Sequence, residues 1–360
     1  MTINLTQAYQ QWMTRSADEA FRSLDDLFAF TSSRKDNSSQ SIRRLHDLHT
    51  EATTSGSLVL NGSERPAALT HWSLGQLAYH IGAPASYLRS LSPELARDCL
   101  QYGLNNSNRS CNTLYRIEAN GSGNSAPVAA AFTGPAYGRI WDADVVEQLV
   151  EATDGSSWKI PANLSDAHNS RGSGLYASDR DMFAFMVNEE DAVDVGGAKL
   201  GRGFFCWNSE TGSATFGLMT FLYNYVCANH IVWGAERVNE VNIYHRSRAQ
   251  TRFHQDVIPT LDRFVRNTAL DKEIKTMVNA TRSRQLGDDL EYVTKRLTNS
   301  RFSKSEIENA WDAAKIQNED PRTVWGMVQG LTAIAQEIPY IDKRVNLERR
   351  AGKLLEAPIS

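Results

Sequence analysis

The sequence predicts an α+β protein: an antiparallel sheet core between helical N-terminal and C-terminal segments. Three textures carry that reading. From Cys111 to Glu210 the runs TLYRIEA, VAAAFT, GLYASDRDMFAFMVNEED and RGFFCWNSE alternate or stay apolar over strand lengths, with breaks at Gly, Asn, Pro and Ser. After Gln255 apolar residues recur almost throughout at helical spacing, as they do over parts of the first hundred residues. The chain of 360 residues divides on this basis into a helical region with a helical hairpin (1–110), an α+β core (111–255) and a helical region (256–360).

Taken in order, Leu5, Tyr9, Trp12 and Met13, then Leu24, Leu27 and Phe28, predict helix over residues 1 to about 30. The polar, serine-rich Thr31–Gln40 and the Gly/Ser/Asn-rich Thr53–Pro66 read as loops. Leu74, Leu77, Ala78 and Ile81 share one helical face, Gly82 stops it, and Tyr87, Leu88 and Leu91 resume after Pro84. That is a helical hairpin; as a DNA-reading helix-turn-helix its second helix offers only Ala85, Ser86, Tyr87 and Arg89, so packing on the core is the better reading. Within the core, ADVVEQLVEA predicts a helix from Ala143 to Ala152 capped by Asp142. Phe216, Met219, Thr220, Tyr223 and Val226 fit a helix over Thr215–Asn229, with YNYVCANHIVW read as the end of that helix or an edge strand. Pro321 is placed to open the last long helix and Pro339 to close it.

With 38 Lys and Arg against 42 Asp and Glu, the net charge of -4 excludes a protein basic on every face, not one that reads nucleic acid from one side. Cys99, Cys111, Cys206 and Cys227 form no C-x-x-C pair, so neither a zinc site nor a disulfide framework is expected, and a reducing cytoplasm is. MTINLTQAYQQWMTR lacks a basic head followed by an apolar run, and no apolar stretch is long enough to span a bilayer, so no membrane association is expected.

Catalytic and metal chemistry find little footing. His46 and His49 have a spacing that can share a helical face but lack further ligands; no metal is expected. Cys227, Asn229 and His230 cannot converge on one atom from a regular helix, which leaves Cys227 as a buried thiol and no catalytic residue assigned. Glu189, Glu190 and Asp191, and Asp179 with Asp181, read as surface carboxylates. Gly201 and Gly203 lack a phosphate-loop spacing, and no cofactor is expected.

Charge is concentrated in one place. Tyr244 to Gln255, YHRSRAQTRFHQ, holds Arg246, Arg248 and Arg252 and no acid, and Leu261–Arg284 carries six basic against three acidic residues. A basic groove lined with aromatic rings is how proteins hold single strands, each stacked base being worth about 1–3 kcal/mol. Arg246, Arg248 and Arg252 are therefore assigned to phosphates, Tyr244 and Phe253 to stacking, and His245 and His254 to added charge when protonated. Phe204, Phe205 and Trp207 are further candidate rings, set against the plainer reading of FFCW as core.

The segments LGQLAYHIGAPASYLRSLSPELARDCLQYGL, NTLYRIEA, YVCANHI with YHRSRAQTRFH, and TVWGMVQGLTAIAQEIPYIDKRVNLERRAGKLL resemble a phage/plasmid-like protein family, a domain of unknown function found in phages, prophages and plasmids. The chain departs from the family's central pattern at Tyr225 and His230. The resemblance implies a mobile-element setting in a bacterial cytoplasm and no established reaction. With the basic segment, it leads to the expectation of a non-enzymatic nucleic-acid-binding protein. Single-stranded DNA is the favoured partner, in recombination or annealing, with homo-oligomerisation. The alternatives are a host-interaction or anti-defence protein acting through a protein surface, and an enzyme acting on nucleotide or nucleic acid through Cys227, Asn229 and His230.

Overall fold

The computed structural model describes residues 19–61, 66–119, 125–160, 174–195, 198–224, 229–231, 241–266, 269–336, 347 and 350–355. Over these the α+β expectation holds: two sheets, one wholly antiparallel and one mixed, with helices before, between and after them.

The strand β1 (Ala20–Phe21) is followed by α1 (Leu24–Asp36). Ser23 caps α1 by accepting from the Asp26 N–H at 3.0 Å, and Asp25 and Asp26 at its start and Arg34 and Lys35 at its end suit the helix dipole. These terminal signals carry the helix through Thr31–Asp36, which the serine content had marked as loop. Ser38 onward is likewise not loop but strand, because it pairs with a partner distant in sequence.

The first sheet comprises β2 (Ser38–Arg44), β3 (His49–Ala52), β4 (Leu58–Asn61), β5 (Ala67–Leu69), β6 (Ser110–Ala119) and β7 (Ser125–Thr133), in the order β2-β6-β7-β5-β4-β3. Only β5 and β7 run parallel. The sheet crosses the boundary expected at residue 110, since β2 pairs with β6 along its whole length. The Thr53–Pro66 loop shrinks to a turn between β3 and β4, with residues 62–65 outside the described set. Helices α2 (His71–His80), α3 (Ala85–Ser90) and α4 (Pro93–Asn105) lie on one face. Gly82, at φ +74°, makes the turn that the hairpin reading requires. Leu77, Ala78, Leu88, Leu100 and Leu104 pack against Tyr115, Ala129 and Phe132, so the hairpin is a core element as expected.

After α5 (Asp142–Thr153), the second sheet gathers β8 (Trp158–Lys159), β9 (Leu175–Ala177), β10 (Met182–Val195), β11 (Ala198–Asn208), β12 (Phe216–Asn224), β13 (Asn229–Ile231) and β14 (Val241–Ile243), with β1 at one edge. The helix expected over Thr215–Asn229 is instead the strand β12, bonded to β11 from Trp207↔Gly217 to Leu200↔Asn224. Period-2 alternation of Phe216, Leu218 and Thr220 served as well as the helical spacing, and the neighbouring strand decided. One face of this sheet buries Met182, Ala184, Met186, Phe204, Cys206 and Phe216 against Leu27 of α1 and Val146 and Leu149 of α5. The other carries Phe185, Phe205 and Trp207, stacked in succession at 5.2 Å.

The described elements from Ala249 onward are helical: α6 (Ala249–Arg252), a π-wound turn (Phe253–Val257), α7 (Ile258–Arg266), α8 (Ala269–Ser283), α9 (Leu290–Asn299), α10 (Lys304–Ile316) and α11 (Val324–Gln336). This continuous winding passes through the expected 255/256 boundary. Val293, Leu297, Ile307, Trp311, Trp325, Val328 and Leu331 form a separate core that reaches Leu200 of β11. Pro321 precedes α11 by a turn and does not begin it, while Pro339 and most of the segment after Gln336 lie outside the described residues.

Candidate nucleic-acid interface

The basic segment leaves β14 and enters α6, and its two sides differ sharply. Ile243, His245, Ala249, Phe253, Val257 and Leu261 are buried, whereas Tyr244, Arg246, Arg248, Gln250, Arg252 and His254 are exposed. Phe253 meets Phe216 edge-on at 5.2 Å and is 1% exposed, so its ring holds the segment to the sheet and is closed to a base. This corrects the stacking role expected of it; Tyr244, 54% exposed, keeps a free face. Phe204, Phe205 and Trp207 are fully buried and belong to the core.

His245 is likewise an anchor. Its ring stacks on Tyr137 at 4.9 Å and 14°, and its Nδ1–H donates to the Gly138 carbonyl at 3.1 Å, while the Gly138 N–H donates to the His245 carbonyl at 3.3 Å. A β-carbon on Gly138 would stand 1.8 Å from the Arg246 carbonyl oxygen, so the approach needs glycine. Burial, with Arg139 beside it, lowers the His245 pKa to about 4. It is neutral at pH 7 and adds no charge to the patch, contrary to the expectation.

Of the three arginines, Arg252 donates to Asp256 at 3.2 Å, an exposed i,i+4 pair. Arg246 and Arg248 have no carboxylate partner among the described residues, and the Arg246 guanidinium lies 5.8 Å over the Tyr244 ring. Asp144 of α5 faces Lys35 at 2.5 Å and Gln250 at 3.5 Å. His254 is exposed with its ring edge-on to Phe253 at 5.6 Å. The segment therefore presents Tyr244, Arg246, Arg248 and His254 to solvent, with Arg252 partly neutralised.

Behind the anchor is a buried ionic junction that no sequence motif announced. Glu210, in the loop after β11, binds the Arg116 guanidinium of β6 through its carboxylate and the Arg139 guanidinium through its carbonyl. Its other carboxylate oxygen accepts from the Asp142 N–H at 2.8 Å. Asp142 is thus the first residue of α5, not its cap; Trp141 occupies that position. The Asp142 carboxylate accepts from Asn208 at 2.7 Å, and burial, then the Glu210 charge, hold its pKa well above the ordinary carboxylate range. Tyr137 donates to the Ser209 carbonyl at 2.7 Å and lies 5.3 Å from the Arg139 guanidinium, linking junction to anchor.

The other candidates are scattered. His46 sits in a 3-10 turn beside Asp47 at 3.2 Å and His49 in β3, not on one helix. Asp181 is buried and accepts from Ser178 at 3.0 Å, a turn-forming role that replaces the surface reading. Cys111 and Cys206 are buried, their thiols pushed up to about 12 by desolvation. Cys227 lies outside the described residues, and Asn229 and His230 are described only as backbone of β13. Among the described residues no helix is long and apolar enough to cross a membrane.

Residues 140–346, more than half of the chain, match a family model described as a domain of unknown function (DUF932), and the protein belongs to that family. No curated protein and no solved structure matches it.

Proposed function

We propose that this protein is a nucleic-acid-binding protein of a phage, prophage or plasmid that holds single-stranded DNA along the exposed side of Tyr244–His254. The observation that carries this reading is the pair of arginines without a carboxylate partner among the described residues, Arg246 and Arg248, beside the exposed Tyr244 ring. Guanidinium groups that are exposed and unneutralised attract phosphates, and a ring with a free face can receive a base. Arg252 shares its charge with Asp256 and contributes less, and Phe253 and His245 hold the segment in place. The test is fluorescence anisotropy of a labelled oligothymidine at increasing salt. Wild type should bind with a linear log–log salt slope, and Arg246→Ala and Arg248→Ala should each lower its magnitude by about 0.7. Absence of binding at low salt, or an unchanged slope in both variants, overturns the proposal.

A second reading has its own observation. Tyr79, Tyr87, Leu95 and Tyr102, all more than half exposed, stand on α2–α4, and these helices also border a cavity of about 230 Å³ lined by Leu58, Leu69, Leu74 and Leu88 together with Thr70, His71 and Arg89. Exposed tyrosines are enriched at protein interfaces, and they support a host-protein partner. A partner retained from nuclease-treated host lysate by wild type and lost from Tyr87→Ala would favour it; retention only in untreated lysate would favour nucleic acid.

A further inference from the structure

The first sheet ends on β2, and the register determines which of its peptide groups face outward. At one end of the β2–β6 ladder the Ile117 N–H donates to the Asn37 carbonyl at 3.0 Å, and at the other the Leu45 N–H donates to the Arg109 carbonyl at 2.9 Å. Bonded pairs alternate along an antiparallel ladder, and the register is unbroken from Ser38↔Arg116 to Arg44↔Ser110. Ser39, Ser41 and Arg43 therefore direct their N–H and C=O groups at β6; the bond from the Thr113 hydroxyl to the Ser41 carbonyl at 2.9 Å agrees. The peptide groups of Ser38, Gln40, Ile42 and Arg44 point the opposite way, where no further strand pairs among the described residues.

This edge is long and, from Ser38 to Ile42, is covered by no further strand among the described residues. Ser39, Gln40, Ser41 and Ile42 are all exposed, Ile42 by 63%, and the run from Ser38 to Ile42 carries no charge and no proline. Proteins blunt such edges with short strands, charges or bulges. The opposite edge of the same sheet, β3, has four residues, and β1 and β13 of the second sheet have two and three. Among the described edge strands only β2 combines length with exposure.

We propose that β2 pairs antiparallel with β2 of a second copy of this chain, joining two six-stranded sheets across a two-fold axis near Ser41. The sequence is self-complementary in that register. Gln40 of one copy faces Ile42 of the other and Ser38 faces Arg44, so all the outward groups meet one another, and Arg43 faces Ser39. No arginine opposes an arginine, which separates this register from shifted ones that bring the Arg43–Arg44 pairs together. A two-fold contact uses up both β2 edges and leaves only the short β3 strands at the ends of the joined sheet.

Sedimentation velocity of the full chain over a wide concentration range, with amide hydrogen exchange, tests this. Wild type should dimerise, with the Gln40 and Ile42 amides protected in the dimer. Ile42→Lys should weaken the dimer at least about tenfold, or 1.4 kcal/mol, with an unchanged circular dichroism spectrum and, at concentrations where both are monomeric, an unchanged Tm. Ile42→Pro removes only an outward N–H, so the β6 ladder survives and the dimer is lost. A wild type that stays monomeric overturns the proposal. So does a dimer undiminished in Ile42→Lys, or one in which the Ile42 amide exchanges freely.

Discussion

Arg116 and Arg139 at the ionic junction and Arg246 and Arg248 on the basic segment carry identical charges in opposite surroundings. Arg116 and Arg139 are 2% and 5% exposed and spend their guanidiniums on Glu210, whereas Arg246 and Arg248 are exposed and have no carboxylate partner among the described residues. A buried arginine without its partner leaves an uncompensated charge, and an exposed one remains hydrated. The same side chain is thus structural in one place and available for a ligand in the other, and partner and burial decide which.

The junction breaks most severely. Glu210→Gln turns one carboxylate oxygen into a donor facing either the Arg116 N–H or the Asp142 N–H, and removes the charge that compensates Arg116. Unpairing a buried ion pair costs about 3–5 kcal/mol. Urea denaturation should show that loss in the midpoint; a cost below ~1 kcal/mol would mean the junction is hydrated and the contrast false.

The anchor is the next most sensitive, and it reads out in pH. Because the His245 pKa falls in the fold from 6.5 to about 4, the unfolded chain takes up a proton that the fold refuses. His245 thus contributes stability in full above about pH 6.5 and loses it as pH drops toward 4, by up to on the order of 3 kcal/mol. Asp142, with its raised pKa, acts with opposite sign: the folded form holds its proton, so its contribution improves as pH falls toward the unfolded carboxyl value. The difference between wild type and His245→Phe isolates the histidine. The variant should be less stable at pH 7, for want of the bond to Gly138, and flatter between pH 6.5 and 4. An unchanged acid slope would show that His245 is not buried in solution.

Much of the fold was legible because its signals are local. The strands between Cys111 and Glu210 alternate, Gly82 marks the hairpin turn, and the helices after Gln255 repeat their apolar residues. What failed was set at a distance. Ser38–Arg44 reads as loop until β6 supplies a ladder, and Phe216–Asn224 satisfies both periods until β11 chooses one. The ionic junction was invisible for the same reason, since Glu210 lies 94 residues from Arg116 and 71 from Arg139. At the basic segment composition located the charge correctly but assigned Phe253 and His245 to the wrong side; the four-residue interval linking His245, Ala249, Phe253 and Val257 was the available clue to an inward face.

Gly138→Ala tests how far that inward face positions the outward one. The new methyl group would overlap the Arg246 carbonyl, so the two backbones must separate, at a cost of about 1–3 kcal/mol. Separation also strains the paired Gly138–His245 bonds and the Tyr137 stack, so the effect should reach the presentation of Tyr244 and Arg246. A Tm drop with weaker oligothymidine binding is the expected result, and full stability would show that the approach yields.

The smallest effect is expected at the exposed arginines. Arg246→Ala and Arg248→Ala remove no carboxylate contact among the described residues, and substitutions at such positions usually change stability by no more than about 0.5 kcal/mol. Arg246 adds only a cation–π contact with Tyr244, worth about 0.5–1 kcal/mol at an exposed site. Chemical denaturation of the double variant should therefore sit within ~1 kcal/mol of wild type while oligothymidine affinity falls. If stability and binding fell together, these arginines would be structural like Arg116. If neither changed, a hydrated charge without a partner would be no sign of a ligand in this protein, and the contrast between the two arginine pairs would reduce to burial alone.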